Sequence, residues 1–589
     1  VSIHSILKEY WGYDQFRPLQ EDIIRSVLAG NDTLALLPTG GGKSICFQVP
    51  GMLLEGVCLV ISPLIALMKD QVENLAKIGI GAGAIYSGMH SSEIKLLLNN
   101  CIHGGVKFLY VSPERLSTSI FRDALMQMKI GLLAIDEAHC ISQWGFDFRP
   151  EYRKIKEVRD LFPKVPVMAL TATATLKVVD DIQDQLGFKK KSVFRKSFER
   201  LNLSYIVRYH ENKLEKVLDS IQKISGSGLV YVRNRKLCEE ISKFLIDNGL
   251  SASFYHAGLS IEERQKRQKD WIMNQTRIMV CTNAFGMGID KPDCSLVIHY
   301  EMPDCLEAYY QEAGRAGRNG KKSYCLLLFH SSDAEIMRHK FALNYPDESF
   351  LKSVYDAVCN QFQIPLGGEQ LAAENFEIAE FSKRIKRNPL QVLNAIKLLS
   401  QLEILTTNEG FHHSSVVKVL LKGNALFAYE GLIEAHSHLL QQILRSYGGI
   451  FDAYVSISEK ALAIKLNCGE KQLRDWLIKL DELQVISYLP STDKPQIQLI
   501  GERVPSNYLR LNPVFIRERK KMEEEKLEAM ITYCENKKVC RSRSLLAYFD
   551  EKQSSDCGVC DVCKENNQLF WTEDRLQILT NKLEKMNWS

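Results

Sequence analysis

Residues 34–44 read LALLPTGGGKS, and the run continues to Pro50 in a helical pattern. An apolar strand, a turn of three glycines and Lys-Ser at the head of a helix is how a parallel sheet presents a phosphate-binding loop. Glycines put no Cβ between backbone N–H groups and an anion, so the loop can curl around phosphates. On this reading Thr39, Gly40, Gly41, Gly42 and Lys43 bind ATP, Lys43 reaches the β- and γ-phosphates, and Ser44 ligates Mg²⁺. The general pattern begins with a glycine where this chain has Leu37, so an ordinary glycine-rich turn is the competing reading.

Further runs of the same kind follow. CLVIS at 58–62, KFLYVS at 107–112, LLAID at 132–136 and VMALTAT at 167–173 alternate with amphipathic segments. Continuous apolar runs predict a parallel sheet covered on both faces. The pattern restarts with LVYV at 229–232, ASFYH at 252–256, RIMVCT at 277–282, LVIHY at 296–300 and YCLLLF at 324–329. Two α/β lobes, at 1–197 and 198–340, are expected, joined near KSFERLNL at 196–203.

LLAIDEAH places two acids at a strand's C-terminal end, where such sheets bind ligands. Asp136 would hold Mg²⁺, Glu137 would activate the attacking water, and His139 would link them to their surroundings. Beside the phosphate loop, this pair specifies an ATPase. QEAGRAGRNG at 311–320 puts Arg315 and Arg318 three residues apart between glycines, as arginine fingers from the second lobe or as a surface salt-bridge pair.

From 341 to 513 helical patterns dominate. FSKRIKRNPLQVLNAIKLLSQLEIL at 381–405 matches LAIKLNCGEKQLRDWLIKLDELQVI at 462–486, each resembling a winged-helix unit. Residues 514–534 read as a solvated charged helix inside a module spanning 514–566. There Cys557, Cys560 and Cys563 are spaced C-x₂-C-x₂-C, and Cys540, on a preceding helix, completes a closed, structural Zn²⁺ site; Cys534 is left out. A tail at 567–589 ends in a helical pattern without a stop, and the chain begins at Val1, so a longer natural chain is expected.

With 589 residues the chain exceeds one core, and its 45% hydrophobic and 25% charged residues suit a soluble globular protein. No apolar run approaches a membrane span and no signal-peptide pattern is present. A net charge of +4 requires any nucleic-acid surface to be a local concentration of Lys and Arg. Sixteen cysteines, mostly single within apolar runs, imply a reducing compartment.

With these motifs in order, the chain resembles a superfamily 2 helicase core, and within it the RecQ family of DNA helicases. LKEYWGYDQFRPLQ at 7–20 is similar to the motif ahead of the phosphate loop, which implies that Tyr13 stacks on adenine while Arg17 and Gln20 hold the base. VISPLIALMKDQ at 60–71, YVSPERL at 110–116, ALTATAT at 169–175 and TNAFGMGIDKPD at 282–293 resemble strand-contacting and coupling motifs; Asp290 is expected to bind the nucleotide and Gln311 to sense its γ-phosphate. CISQWGFDFRPEY after DEAH resembles the RecQ aromatic-rich loop, with Trp144, Phe148 and Arg149 matching and Phe146 where histidine is common. Aromatic rings stack on bases whatever the sequence, so these residues are expected to bind DNA; a buried aromatic cluster is the alternative.

The resemblance implies two RecA-like lobes followed by the winged-helix-like region and the Cys₄ module, with ATP, Mg²⁺ and structural Zn²⁺ as cofactors. It implies 3′→5′ translocation on single-stranded DNA and unwinding of duplex, forked or recombination-intermediate DNA in repair or recombination. It also implies a monomer without membrane association, partnered by a single-stranded-DNA-binding protein or a topoisomerase; the lack of a basic nuclear-localisation run points to a bacterial cytoplasm, in association with the nucleoid, or to the nucleus if the source is eukaryotic. A duplex translocase or RNA helicase, and a winged-helix and zinc DNA-binding protein with a degenerate ATPase, are the rivals. In the better-known arrangement the zinc module follows the second lobe directly; here the 341–513 region intervenes, so no strand-separating hairpin is assigned.

Overall fold

The computed structural model describes residues 2–565 apart from 39, 87–88, 90, 146, 286–290, 371–373, 409–414, 422–433, 452–454 and 490–495. The first lobe contains β1 (Thr33–Leu36), β2 (Val57–Ile61), β3 (Ala82–Ile85), β4 (Phe108–Val111), β5 (Ile130–Ile135), β6 (Val167–Thr171) and β7 (Val193–Arg195). They form one parallel sheet in the order β3-β4-β2-β5-β6-β1-β7. β1, β2, β4 and β6 are buried at every residue, which is why their sequences are apolar without alternation. The edge strands β3 (AGAI) and β7 (VFR) carry small or half-exposed residues, and no apolar run announces them.

The second lobe holds β8 (Leu203–Tyr209), β9 (Ser227–Tyr231), β10 (Ala252–Tyr255), β11 (Ile278–Cys281), β12 (Cys294–His299) and β13 (Ser323–Phe329). They are parallel in the order β10-β11-β9-β12-β13-β8. Because both sheets are parallel, the loops that carry chemistry emerge from one edge of each.

The winged-helix region is nested. Helices Ile378–Arg384 and Pro389–Gln401 with β15 (Leu405–Asn408) recur as Glu459–Lys465, Glu470–Glu482 and β18 (Ile486–Leu489), always at an offset of 81. β14 (Glu374–Asn375) and β15 both pair with β19 (Gln496–Leu499), whereas β16 (Val416–Val419) pairs with β17 (Val455–Ser456) and β18. The second unit is therefore inserted between the two long strands of the first. Each keeps its own core, around Val392 and Leu399 in the outer unit and Leu473 and Leu480 in the inner.

The last described segment returns to the lobes. Helix Pro513–Glu535, expected to be solvated, buries Leu527, Met530, Ile531 and Tyr533 in the second lobe's core, while Leu546 and Phe549 join the first lobe's core. Its charged sequence hid this because two buried residues, Arg519 and Lys526, are themselves cations. Among the described residues, no helix is long and apolar enough to cross a membrane.

Candidate functional site

The phosphate loop joins β1 to helix Lys43–Leu53, which puts the unpaired N–H groups of that helix's first turn at the loop. Gly40 and Gly42 both have φ of 78°, a left-handed conformation that favours glycine, and a Cβ on Gly41 would stand 2.8 Å from the Pro38 carbonyl. The motif ahead of the loop turns its carbonyls outward: Arg17 donates to Gly40 O at 2.6 Å and Gln20 Nε2 to Gly42 O at 2.9 Å. Gln20 Oε1 in turn accepts the Arg17 N–H at 2.8 Å. Tyr13 is 55% exposed beside this motif, so its ring is open to a base. Ser44 is half-buried in the helix's first turn; Thr39 lies outside the described residues.

Asp136 follows β5, its N–H bonded to Ile61 O at 2.9 Å. Glu137 is left-handed, with φ of 46°, and this turn aims its carboxylate back at the loop. Lys43 Nζ lies 3.3 Å from Glu137 Oε1, and His139 Nδ1 lies 3.4 Å from Oε2 and 2.9 Å from Thr171 Oγ1 of the ALTATAT motif. Burial raises the pKa of the Asp136 carboxyl, against the pull of Lys43. Burial also opposes ionisation of Glu137, but Lys43, His139 and Arg315 together hold its carboxyl below the usual range. Burial works against the Lys43 charge too, and Glu137 and Asp136 overcome it, so its pKa is raised. A cation flanked by two acids around an N–H-lined loop fits a Mg²⁺-nucleotide, and Ser44 and Asp136 are the side chains there that could hold the metal.

The second lobe completes the site. A Cβ on Gly40 would meet Arg318 Cγ at 3.4 Å, so Arg318 lies against the phosphate loop. Arg315 is buried and lowers the pKa of Glu137, and Gln311 is buried on helix Leu306–Ala313 just before them. Arg318 thus stands against the nucleotide loop, and Arg315 is close enough to Glu137 to act on its charge. Asp290 lies outside the described residues.

The aromatic loop is folded onto the DEAH turn. Tyr152 OH donates to Asp136 O at 3.0 Å, and Arg149 N–H to Cys140 O at 2.9 Å. Gly145 admits no side chain, since a Cβ would stand 2.3 Å from His139 O. Trp144 is half-buried with Lys177 Nζ 3.2 Å above its ring, and Arg149 pairs with Asp147 at 3.1 Å while 29% of its side chain stays exposed. Phe148 departs from expectation: it is 6% exposed, with Arg153 and Arg519 over its ring at 5.1 and 5.6 Å. As folded here it supports the loop and offers no free face to a base, which is the buried-cluster alternative at this one position. Phe146 lies outside the described residues.

Sequence reading missed the cations that hold this loop. Arg519 donates to Gln143 O at 3.2 Å; Lys526 Nζ donates to Trp144 O at 3.3 Å and Gly145 O at 3.1 Å and stands 4.0 Å from Glu307. In a helix of mixed charge nothing local marks these two as buried.

The four sulfurs of Cys540, Cys557, Cys560 and Cys563 lie within 4.8 Å of one another, and Cys540 and Cys560 are 3.9 Å apart. Sulfurs at roughly 2.3 Å from a tetrahedral zinc stand about 3.8 Å apart, so the donor set fits Zn²⁺. Cys540 does not end a preceding helix as expected; it is the N-cap of helix Arg541–Tyr548, so the metal site fixes that helix's start. Asp561, between two ligands, pairs with buried Arg541 at 3.0 Å and accepts the Val207 N–H at 3.0 Å. Cys534 belongs to the second lobe's core.

Comparison with known proteins agrees with this layout. Family models for the DEAD/DEAH box helicase match residues 17–182, the helicase conserved C-terminal domain 211–320, the RecQ helicase winged-helix domain of Bacteroidota 417–490, and the RecQ zinc-binding module 509–564. The chain is 45% identical over 337 residues to the ATP-dependent DNA helicase RecQ of Bacillus subtilis (57% of each chain). It is 42% identical over 348 residues to the RecQ-like DNA helicase blm-1 of Caenorhabditis elegans (57% of this chain, 35% of that one). The probable ATP-dependent DNA helicase RecS of Bacillus subtilis is 41% identical over 340 residues, 57% of this chain and 68% of the relative. The match thus spans little more than half the length of the first relative and about a third of the second.

Proposed function

The chain belongs to the RecQ family of superfamily 2 helicases, and from that premise we propose that it is an ATP-dependent DNA helicase moving 3′→5′ on single-stranded DNA to open forked or recombination-intermediate duplexes. The observation that carries the ATPase is the convergence of Lys43, Glu137 and Arg318 from both lobes on one glycine loop. The loop N–H groups, Lys43, Ser44 and Asp136 would hold ATP and Mg²⁺, and the metal would supply positive charge to offset that developing on the phosphates. Glu137, ionised at neutral pH because Lys43 and His139 face it, orients the attacking water and takes its proton. Arg315 and Arg318 stabilise the transferred phosphoryl group, so hydrolysis requires the lobes closed. The strand advances as closure and reopening alternate.

Trp144 and Arg149 touch the strand. Tyr152, on the same loop, reports to the Asp136 backbone. Duplex DNA is held by the outer winged unit: its turn KRIKRN at 383–388 exposes Lys383, Arg384, Lys386 and Arg387. The corresponding inner turn, IKLNCG at 464–469, has Lys465 alone. Phosphate contact needs such a local cluster in a chain of net charge +4. Zn²⁺ in the Cys₄ site is structural.

A strand-displacement assay with 3′- and 5′-tailed duplexes tests the reading. Unwinding of the 3′-tailed duplex alone is expected, and Glu137→Gln should abolish it while ATP still binds. Intact DNA-stimulated ATPase with no unwinding of either duplex would refute the helicase assignment.

A further inference from the structure

Residues 196–203, between the lobes, are gripped from two directions. On one side stands Phe549-Asp550-Glu551, the turn that ends the zinc module's helix Arg541–Tyr548. Ser197 Oγ donates to Glu551 Oε2 at 2.7 Å, and the Phe198 N–H donates to Glu551 Oε1 at 2.8 Å, so one carboxylate holds two successive residues. The Phe198 ring packs 4.8 Å from Phe549 and 5.7 Å from Tyr310, and Tyr310 OH donates to Phe198 O at 2.7 Å. Asp550, left-handed with φ of 65°, accepts the Leu176 N–H at 2.9 Å. Leu176 opens helix Leu176–Gln185 directly after ALTATAT, and that helix's own Thr175 supplies no side-chain cap. The zinc module thus caps a first-lobe helix from outside.

On the other side the same linker holds the arginine motif. Arg200 donates to the carbonyls of Gly314, Ala316 and Gly317 at 3.4, 3.1 and 3.3 Å, and Asn202 Nδ2 donates to Gly317 O at 2.7 Å. Those carbonyls belong to the turn that carries Arg315 and leads into Arg318. The linker is therefore a short rod with the zinc module at one end and the arginine fingers at the other. Because Cys540 is the N-cap of the helix that ends at this turn, the metal site, one eight-residue helix, the linker and the finger loop are in series.

We propose that Glu551 is a positioning residue of the ATPase, seconded by Asp550: it fixes the linker so that Arg200 sets where Arg315 and Arg318 stand over the phosphate loop. This rests on the ATPase reading above. A displacement near 1 Å at a remote support can cost about a hundredfold in rate without touching ground-state binding. Glu551 contacts neither nucleotide loop nor Zn²⁺ ligands in any hydrogen bond described, so its removal spares both directly.

The test compares Glu551→Ala, Glu551→Gln and Asp550→Ala in the full chain. ATP hydrolysis with single-stranded DNA is resolved into kcat and KM, with Zn²⁺ content and hydrogen exchange at 314–318 measured alongside. Glu551→Ala should lower kcat about 10- to 100-fold with KM within about threefold, keep its zinc, and exchange about tenfold faster at 314–318. Glu551→Gln, which retains an acceptor for the Phe198 N–H, should recover most of the kcat. Unchanged kcat and exchange in Glu551→Ala would overturn the proposal, and so would equal loss in Ala and Gln variants accompanied by zinc loss. If the parent chain hydrolyses no ATP the proposed function fails, and exchange at 314–318 then decides this inference by itself.

Discussion

Lys526→Ala asks whether the zinc module's helix sets the state of the aromatic loop. The Lys526 ammonium is 9% exposed and gives two hydrogen bonds to the loop's carbonyls, at 3.3 and 3.1 Å. Hydrogen bonds from a charged donor contribute about 1.5–3 kcal/mol each, so the pair is worth about 3 kcal/mol at the lower figure. A cavity of about 370 Å³ bounded by Trp144, Lys177, Glu307 and Lys526 lets water reach the abandoned carbonyls and reduces the loss; about 2 kcal/mol remains. At 1.4 kcal/mol per factor of ten, the opened loop becomes roughly 30 times more populated. Amide hydrogen exchange across 142–149 should accelerate by that factor, with Lys526→Arg restoring much of the protection. Basal ATP hydrolysis should stay within about twofold because the Lys43–Glu137 contact is untouched, while DNA stimulation of hydrolysis should fall. Exchange changed less than threefold would refute the anchor, whatever the enzyme's activity.

Replacing Lys383, Arg384, Lys386 and Arg387 by glutamate should flatten the salt dependence of duplex binding by about 3–4 log units per log unit of salt and spare the ATPase on short single strands; an unaltered slope excludes this turn. In the inner winged unit, burial alone would raise the Glu459 pKa, but hydrogen bonds from Ser415, Tyr488 and Arg474 bring it below the usual value. A depressed carboxyl stabilises the fold above its unfolded pKa and loses that contribution as pH falls through the folded one. The inner unit should therefore lose stability below about pH 4.5, and Glu459→Gln should remove the dependence in thermal melts. Chelation of Zn²⁺ should release the Cys540 cap and loosen helix Arg541–Tyr548 along with the linker at 196–203; exchange confined to 540–563 would contradict the series arrangement.

The lobes were legible because burial on both sheet faces leaves a continuous apolar run, as at β2 and β12, where all or nearly all residues are enclosed. The edge strands β3, β7 and β8 escaped because one edge and part of a face meet solvent. The duplicated winged units were legible through their offset, but nesting was not: it depends on β15 pairing with β19 across the whole inner unit, and no local pattern encodes a partner that distant.

Local sequence alone pointed to the nucleotide loop, the acidic pair, the arginine motif and the Cys557, Cys560 and Cys563 run, because each is a set of fixed residue types at short spacing, whereas the fold brings Cys540 to the other three. Tertiary structure alone decided that Phe148 is covered, that Lys526 and Arg519 hold the aromatic loop, and that Glu551 grips the linker whose Arg200 bonds the carbonyls of the 314–317 turn. Those roles fall to common charged residues far apart in sequence. Their meaning comes from burial against backbone carbonyls and N–H groups, which exists only once the zinc module has folded back between the lobes.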